Sequence, residues 1–258
     1  MATVRAINVS TVKSLRLMSV PQARIEPDGI PGDRRFALLD TRRGRVATQR
    51  EIGALAQIQS RYDAATGELA LVMPDGSEVA AAVDGGRPSS VKLWDRIVEG
   101  RELDGPWAAA ISEAVGRPLA LLDVTGDIRA LDSHPVSLLS QASADEVGRR
   151  GGVDGGFDAR RFRPTLLLDG LRAHEEDDWV GRPVRAGEAL LSVIRLDPRC
   201  ALTTRHPETG ERDADTLRWL ASYRRADDGD VYCGLYADVV EPGTVRVGDP
   251  VGPVEGGA

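Results

Sequence analysis

Short runs of alternating apolar and polar residues, cut by glycine and proline, dominate the chain and read mostly as β-strands. Val4–Val9 alternates as a strand. Arg35-Phe-Ala-Leu-Leu-Asp40 and Arg45-Val-Ala-Thr48 flank a turn at Arg42-Arg43-Gly44, and Glu68–Met73 and Glu78–Val83 flank Pro74-Asp75-Gly76. Further strands are predicted at Val91–Trp94, Leu119–Leu122 and Thr165–Asp169, the last apolar enough to be buried. Val184–Val193 reads as a hairpin around Ala186-Gly187-Glu188, and Val231–Val240 returns through Pro242-Gly243 as Thr244–Val251. Helical spacing is sparser. It marks a short helix at Ile52–Ile58 and a clear one at Trp107–Val115, stopped by Gly116 with Pro118 beyond. Another starts at Ser143-Ala-Asp-Glu146, which has capping-box spacing, and Asp213–Tyr223 places Leu217, Leu220 and Ala221 on one face. The expected fold is α+β, mainly β: barrel-like sheets with helices packed outside. Gly85-Gly-Arg-Pro-Ser-Ser90 is the least patterned stretch and is expected to be a boundary or loop.

Composition narrows the function. No run approaches the roughly 18 apolar residues of a membrane span, and the N-terminus lacks the apolar block of a secretory signal. Two cysteines without Cys-x-x-Cys exclude a zinc ribbon and a cysteine-held iron–sulfur cluster, so a reduced, cytoplasmic protein is expected. The net charge of −7 argues against nucleic acid as a partner. Only Lys13 and Lys92 of the 33 cations are lysine, so a lysine carries more information here than an arginine.

Candidate chemistry centres on Leu196-Asp-Pro-Arg-Cys-Ala-Leu-Thr-Thr-Arg-His-Pro-Glu-Thr-Gly210. Cys200 could be a core thiol, a nucleophile with His206 as base, or a ligand for a soft metal. Arg199 would favour a thiolate, and the polar residues behind it suit an anion. Elsewhere there is no Gly-x-Ser-x-Gly elbow and no zinc spacing among His134, His174 and His206. Gly151–Gly156 lacks the setting of a nucleotide loop and reads as surface. The run His174-Glu-Glu-Asp-Asp178 offers carboxylates but reads as a solvated loop.

Arg199-Cys-Ala-Leu-Thr-Thr204, followed by His-Pro-Glu-Thr-Gly210 and Tyr223-Arg224, resembles the MOSC domain signature. Val12-Lys-Ser14, Gly32-Asp-Arg-Arg-Phe36 and Thr48-Gln-Arg50 resemble the companion N-terminal β-barrel domain. Pro135–Ser143, Arg161-Phe-Arg-Pro164, Glu176-Asp-Asp-Trp179 and Gly243–Pro250 match in order and spacing, so the resemblance covers nearly the whole chain. It is strongest to the mitochondrial amidoxime-reducing component and YcbX-like members. The resemblance implies an N-terminal domain over 1–88 and a MOSC domain over 89–258. It implies the molybdenum cofactor, with Cys200 as metal ligand and catalytic residue. Lys13, Ser14 and Arg34 would meet the pterin phosphate, and Arg163 and Thr165 would hold the pterin. Arg199, Thr203, Thr204 and Asp132 would lie near metal or pterin. The implied activity is reduction of small N-hydroxylated substrates, with electrons from a separate ferredoxin or flavin reductase type of protein. A cofactor or sulfur carrier, or a biosynthetic enzyme without molybdenum, are the alternative readings. Thr11, Thr165, His206 and Cys233 stand where the family usually has proline, asparagine, aspartate and an aromatic.

Overall fold

A computed structural model describes residues 1–124 and 130–254. Two closed β-barrels carry the fold. The larger runs in the spatial order Leu166–Asp169, Val136–Ser140, Tyr232–Glu241, Ala189–Pro198, Pro183–Ala186, Pro250–Pro253 and Ala2–Val9. Pairing of Ala2–Val9 back onto Leu166–Asp169 closes it. The N-terminal strand thus sits inside a barrel built mostly from the C-terminal half. Burial accounts for the placement: Ala2 and Val4, and Ile7 beyond a register shift between Val4 and Ala6, lie in one apolar cluster with Leu138, Leu166, Leu191 and Leu235.

The smaller barrel closes through Arg96–Glu102, Leu119–Val124, Phe36–Asp40, Arg45–Val46 and Arg87–Leu93. Residue 88, the expected division, falls within its Arg87–Leu93 strand. A three-stranded sheet, Gln59–Asp63, Glu68–Val72 and Glu78–Ala82, packs beside it. Helix Pro106–Val115 lies against this sheet, burying Trp107 and Ile111 with Leu69 and Leu71. The Trp107 indole donates to the Leu69 carbonyl at 2.8 Å. Proline begins this helix, where its missing N–H costs nothing, and left-handed Gly116 ends it.

Several local expectations shift. The second long helix spans Gln141–Arg150, and Ser140 rather than Ser143 is its cap, accepting from the Ser143 N–H. Ile52–Ile58 is a 3-10 turn over Gly53–Gln57, and the last helix contracts to Thr216–Ala221. Thr244–Val251 is split: Gly243–Arg246 pairs with Gln22–Ile25, and Pro250–Pro253 enters the larger barrel. None of the described helices is long and apolar enough to cross a membrane.

The acidic run is not a solvated loop throughout. Glu176 is fully buried in a 3-10 turn and accepts from the Ser140 N–H and the Ser140 and Ser143 hydroxyls at 2.6–3.0 Å. Its charge is satisfied there, which makes it a brace for the Gln141–Arg150 helix. Among the described residues no group of three or more His, Cys, Asp or Glu side chains could hold a metal ion. Beside Glu176, His174 meets the Tyr223 hydroxyl at 3.1 Å, while its other ring nitrogen is buried without a hydrogen-bond partner. Burial, with Arg224 and Arg150 nearby, pushes the imidazole down to about 4. The unfolded chain therefore binds a proton on His174 near pH 6.5, before the folded chain does. Stability from this group is complete above that pH and is lost as pH falls toward about 4. His174→Gln should flatten the fall in thermal midpoint across this window; an unchanged slope would show that other groups set it.

Candidate functional site

Among the chain segments that converge between the barrels on a cleft of about 410 Å3, five hold the sequence-predicted residues. The first leaves the Ala2–Val9 strand. The backbone N–H groups of Ser10, Lys13 and Arg34 donate to the Asp33 carboxylate at 2.6 Å, the Phe36 carbonyl and the Ser10 carbonyl respectively. These bonds zip the Lys13-Ser14 turn to the Asp33-Arg34 turn. The third segment is Phe162-Arg163-Pro-Thr165, the fourth is Asp197–Thr203 beyond the Ala189–Pro198 strand, and the fifth is Leu131–Ser137.

Backbone strain is concentrated here. Among the described residues five non-glycine residues have positive φ: Ser14, Arg34, Trp94, Arg163 and His174. The first four line the cleft. Each side chain there resists the left-handed conformation, and such residues gather where the surroundings fix a functional geometry.

The charges are arranged around an incomplete partner set. Lys13 is 4% exposed and donates to Asp132 at 2.8 Å. Arg34 pairs with Asp33. Arg163 donates to the Gln49 side chain at 3.2 Å, and its second terminal nitrogen is buried without a hydrogen-bond partner. Burial and the neighbouring Arg34 bring the Arg163 guanidinium down to about 10. Burial likewise lowers Lys13, with Arg34 and Arg163 adding to the shift against the opposing pull of Asp132. Partial desolvation works against ionisation of the half-exposed Asp132, yet Lys13, Arg34 and the Trp94 indole outweigh it and hold its carboxyl at about 2. Three cations so close disfavour one another, and a bound anion would relieve that repulsion.

Cys200 is exposed, so the core-thiol reading does not hold for it; Cys233, fully buried among Leu139, Leu220 and Val231, is the core thiol. Burial pushes the Cys233 thiol up to about 12. Arg199 is a brace. Its guanidinium donates to the Cys233 carbonyl at 2.6 Å and the Phe162 carbonyl at 2.9 Å, and lies 2.8 Å from Asp197. Asp197 is 3% exposed, and burial raises its carboxyl to about 6 against the pull of Arg199 and the Tyr236 hydroxyl.

Of the sequence-predicted residues, Lys13, Ser14, Arg34, Asp132, Arg163, Thr165, Arg199, Cys200 and Thr203 line the one cleft. Thr165 and Ser137 exchange bonds at 3.0–3.3 Å, a contact a longer asparagine would alter. Thr204 is not brought there: its hydroxyl returns to the Ala201 carbonyl at 2.8 Å. His206 is not a base for Cys200. Its Nδ1 accepts from the Glu208 and Thr209 N–H groups at 3.2 and 3.3 Å, the role an aspartate plays in such a turn. That turn ends at left-handed Gly210, packed against Gly53 too closely for any side chain. Arg205 donates to the Arg50 and Gly210 carbonyls, so the turn buttresses the Gln49-Arg50 wall. Sequence reasoning missed Gln49, Trp94, Asp197 and Tyr236, which also line the cleft. Gln49 and Asp197 lie inside motifs already singled out, whereas Trp94 and Tyr236 carry no local signal.

Two barrels flanking a cationic, thiol-bearing cleft define the class. The sequence matches the MOSC N-terminal beta barrel domain over residues 1–118 and the MOSC domain over residues 125–252. The chain belongs to the MOSC family and carries both domains. It is similar to the mitochondrial amidoxime-reducing component 1 of Xenopus laevis, 27% identical over 93% of this chain and 78% of that protein. The mouse protein of the same name is 34% identical over 46% of this chain, and the match spans 36% of its length. The molybdenum cofactor sulfurase of Oryza sativa subsp. japonica is 25% identical over 92% of this chain, which spans 33% of that protein.

Proposed function

We propose that this chain is a molybdenum-cofactor-dependent oxidoreductase that reduces the N–O bond of small N-hydroxylated compounds. One observation carries the reading: an exposed thiol faces the same cleft as buried Lys13 and Arg34 and half-buried Arg163, one of whose terminal nitrogens is buried without a partner. That donor set fits the cofactor. A thiolate suits a soft, high-valent metal, and Lys with fork-shaped Arg groups suits a pterin monophosphate dianion. Cys200 would hold the metal, Lys13, Ser14 and Arg34 the phosphate, and Arg163 and Thr165 the pterin. Arg199 and Thr203 hold the Cys200 loop in place: Thr203 donates to the Cys200 carbonyl through both N–H and hydroxyl. When bound, the cofactor would supply the two-electron redox chemistry. The balance is R–NHOH + 2e− + 2H+ → R–NH2 + H2O, with electrons from a separate ferredoxin or flavin reductase type of protein. Of the cleft carboxyls, Asp132 stays ionised, while Asp197 titrates near neutral pH and can hold a proton.

Names of relatives support this reading, since proteins called amidoxime-reducing component match over most of the chain. The exposure of Cys200 also suits a second reading, a cofactor or sulfur carrier. Turnover separates them. Protein expressed with molybdate and supplied with a chemical electron donor should convert benzamidoxime to benzamidine in proportion to its molybdenum content. Loaded protein that forms no benzamidine under any donor would sink the reductase reading in favour of the carrier.

A further inference from the structure

Trp94 stands apart from the anion-binding residues of the cleft. It occupies the first position of a two-residue turn, because Leu93 and Arg96 are already paired across the hairpin. Its φ is 59°, a conformation glycine adopts freely and a bulky side chain resists. The sequence nevertheless places the largest side chain there, 43% exposed and lining the cleft. Its ring is held from two sides. The indole N–H donates to Asp132 at 3.1 Å, and the Arg50 guanidinium lies 4.6 Å from the ring centroid. The hairpin is pinned again where the Arg96 side chain donates to the Leu131 carbonyl. An exposed aromatic kept rigid at some cost in backbone strain is a preorganised recognition surface rather than a packing residue.

Deepening the reductase reading, on which it rests, we propose that Trp94 is a specificity-determining residue. It presents a stacking wall for the planar, uncharged π-system of an N-hydroxylated substrate. Its exposure sets it at the mouth, whereas Lys13 and Arg34 are buried at the floor. A flat, rigid indole favours conjugated over aliphatic groups. The Arg50 cation and the ionised Asp132 carboxylate flank the ring with opposite charges, so the ring itself offers stacking to a neutral conjugated group.

The test compares benzamidoxime with acetamidoxime on molybdenum-loaded wild type, Trp94→Asn and Trp94→Phe. Asparagine tolerates the left-handed turn but offers no ring. Calorimetric titration with benzamidoxime in the absence of an electron donor adds a readout independent of turnover. Trp94→Asn should raise the benzamidoxime Kd and KM about five- to tenfold, and lower the preference for benzamidoxime in kcat/KM to match. The loss falls on KM rather than kcat. Trp94→Phe should stay within about threefold of wild type. An unchanged preference in Trp94→Asn overturns the proposal. So does a Trp94→Phe variant as weak as Trp94→Asn, because the indole bond to Asp132 would then carry the effect. Wild type that reduces neither compound removes the reductase reading and this inference with it. Wild type that reduces both, with variants unchanged in preference, removes this inference alone.

Discussion

Cys200→Ser should abolish molybdenum-dependent reduction of benzamidoxime, lowering the rate per chain by at least about a hundredfold. Serine keeps the size of the side chain and replaces a soft, readily ionised sulfur with a hard hydroxyl that stays protonated. Because Cys200 is exposed, little packing changes, and the thermal midpoint of the cofactor-free protein should move by no more than about 2 °C. Retained folding with lost molybdenum separates ligand loss from structural damage. Full activity in a cofactor-loaded Cys200→Ser preparation would remove Cys200 from the chemistry altogether.

Arg163→Met should act in opposite directions on stability and function. In the cofactor-free chain the Arg163 guanidinium is a cation pressed against Arg34, bonded to Gln49, with one nitrogen unpartnered. Methionine fills similar volume without the desolvation cost, so the cofactor-free variant should be more stable by about 1 kcal/mol, or roughly 3 °C. The same change removes the unpartnered guanidinium nitrogen from the proposed anion site, and molybdenum content should fall about tenfold or more. Inorganic phosphate should raise the wild-type thermal midpoint more than that of the variant. A destabilised Arg163→Met with full molybdenum content would mean that Arg163 is a structural pillar and that the anion lies elsewhere. Proteins commonly retain such costly groups where function needs them.

Most of the cationic, thiol-bearing part of the cleft was legible because it sits in short motifs. Lys13, Ser14, Arg34, Arg163 and Cys200 are each read from their immediate neighbours, and long-range pairing brings them together. The neighbouring threonines show where spacing fails. In a 3-10 turn successive residues point about 120° apart, so Thr203 reaches Thr216 at 2.6 Å while Thr204 turns back to Ala201. Trp94 was hidden for another reason. Period-2 alternation continues the Val91–Trp94 run, and only the pairing of Leu93 with Arg96 reveals that the chain has already turned. Strand lengths suffered likewise: Ala189–Pro198 runs five residues beyond the expected end at Val193, with register shifts that interrupt its alternation. The membership of Ala2–Val9 in the larger barrel is a long-range register, set by burial beside Leu166 and Leu168 and not by anything local. The sequence alone holds a base role for His206 open, because a turn acceptor and a catalytic imidazole look alike there.

Molybdenum and pterin content per chain, measured on folded protein expressed with molybdate, tests the central claim most directly. A molybdenum-dependent reductase should carry close to one molybdenum and one pterin per chain, both lost in Cys200→Ser. Folded wild-type protein that contains neither would contradict it, and would leave the cationic cleft to a different anion.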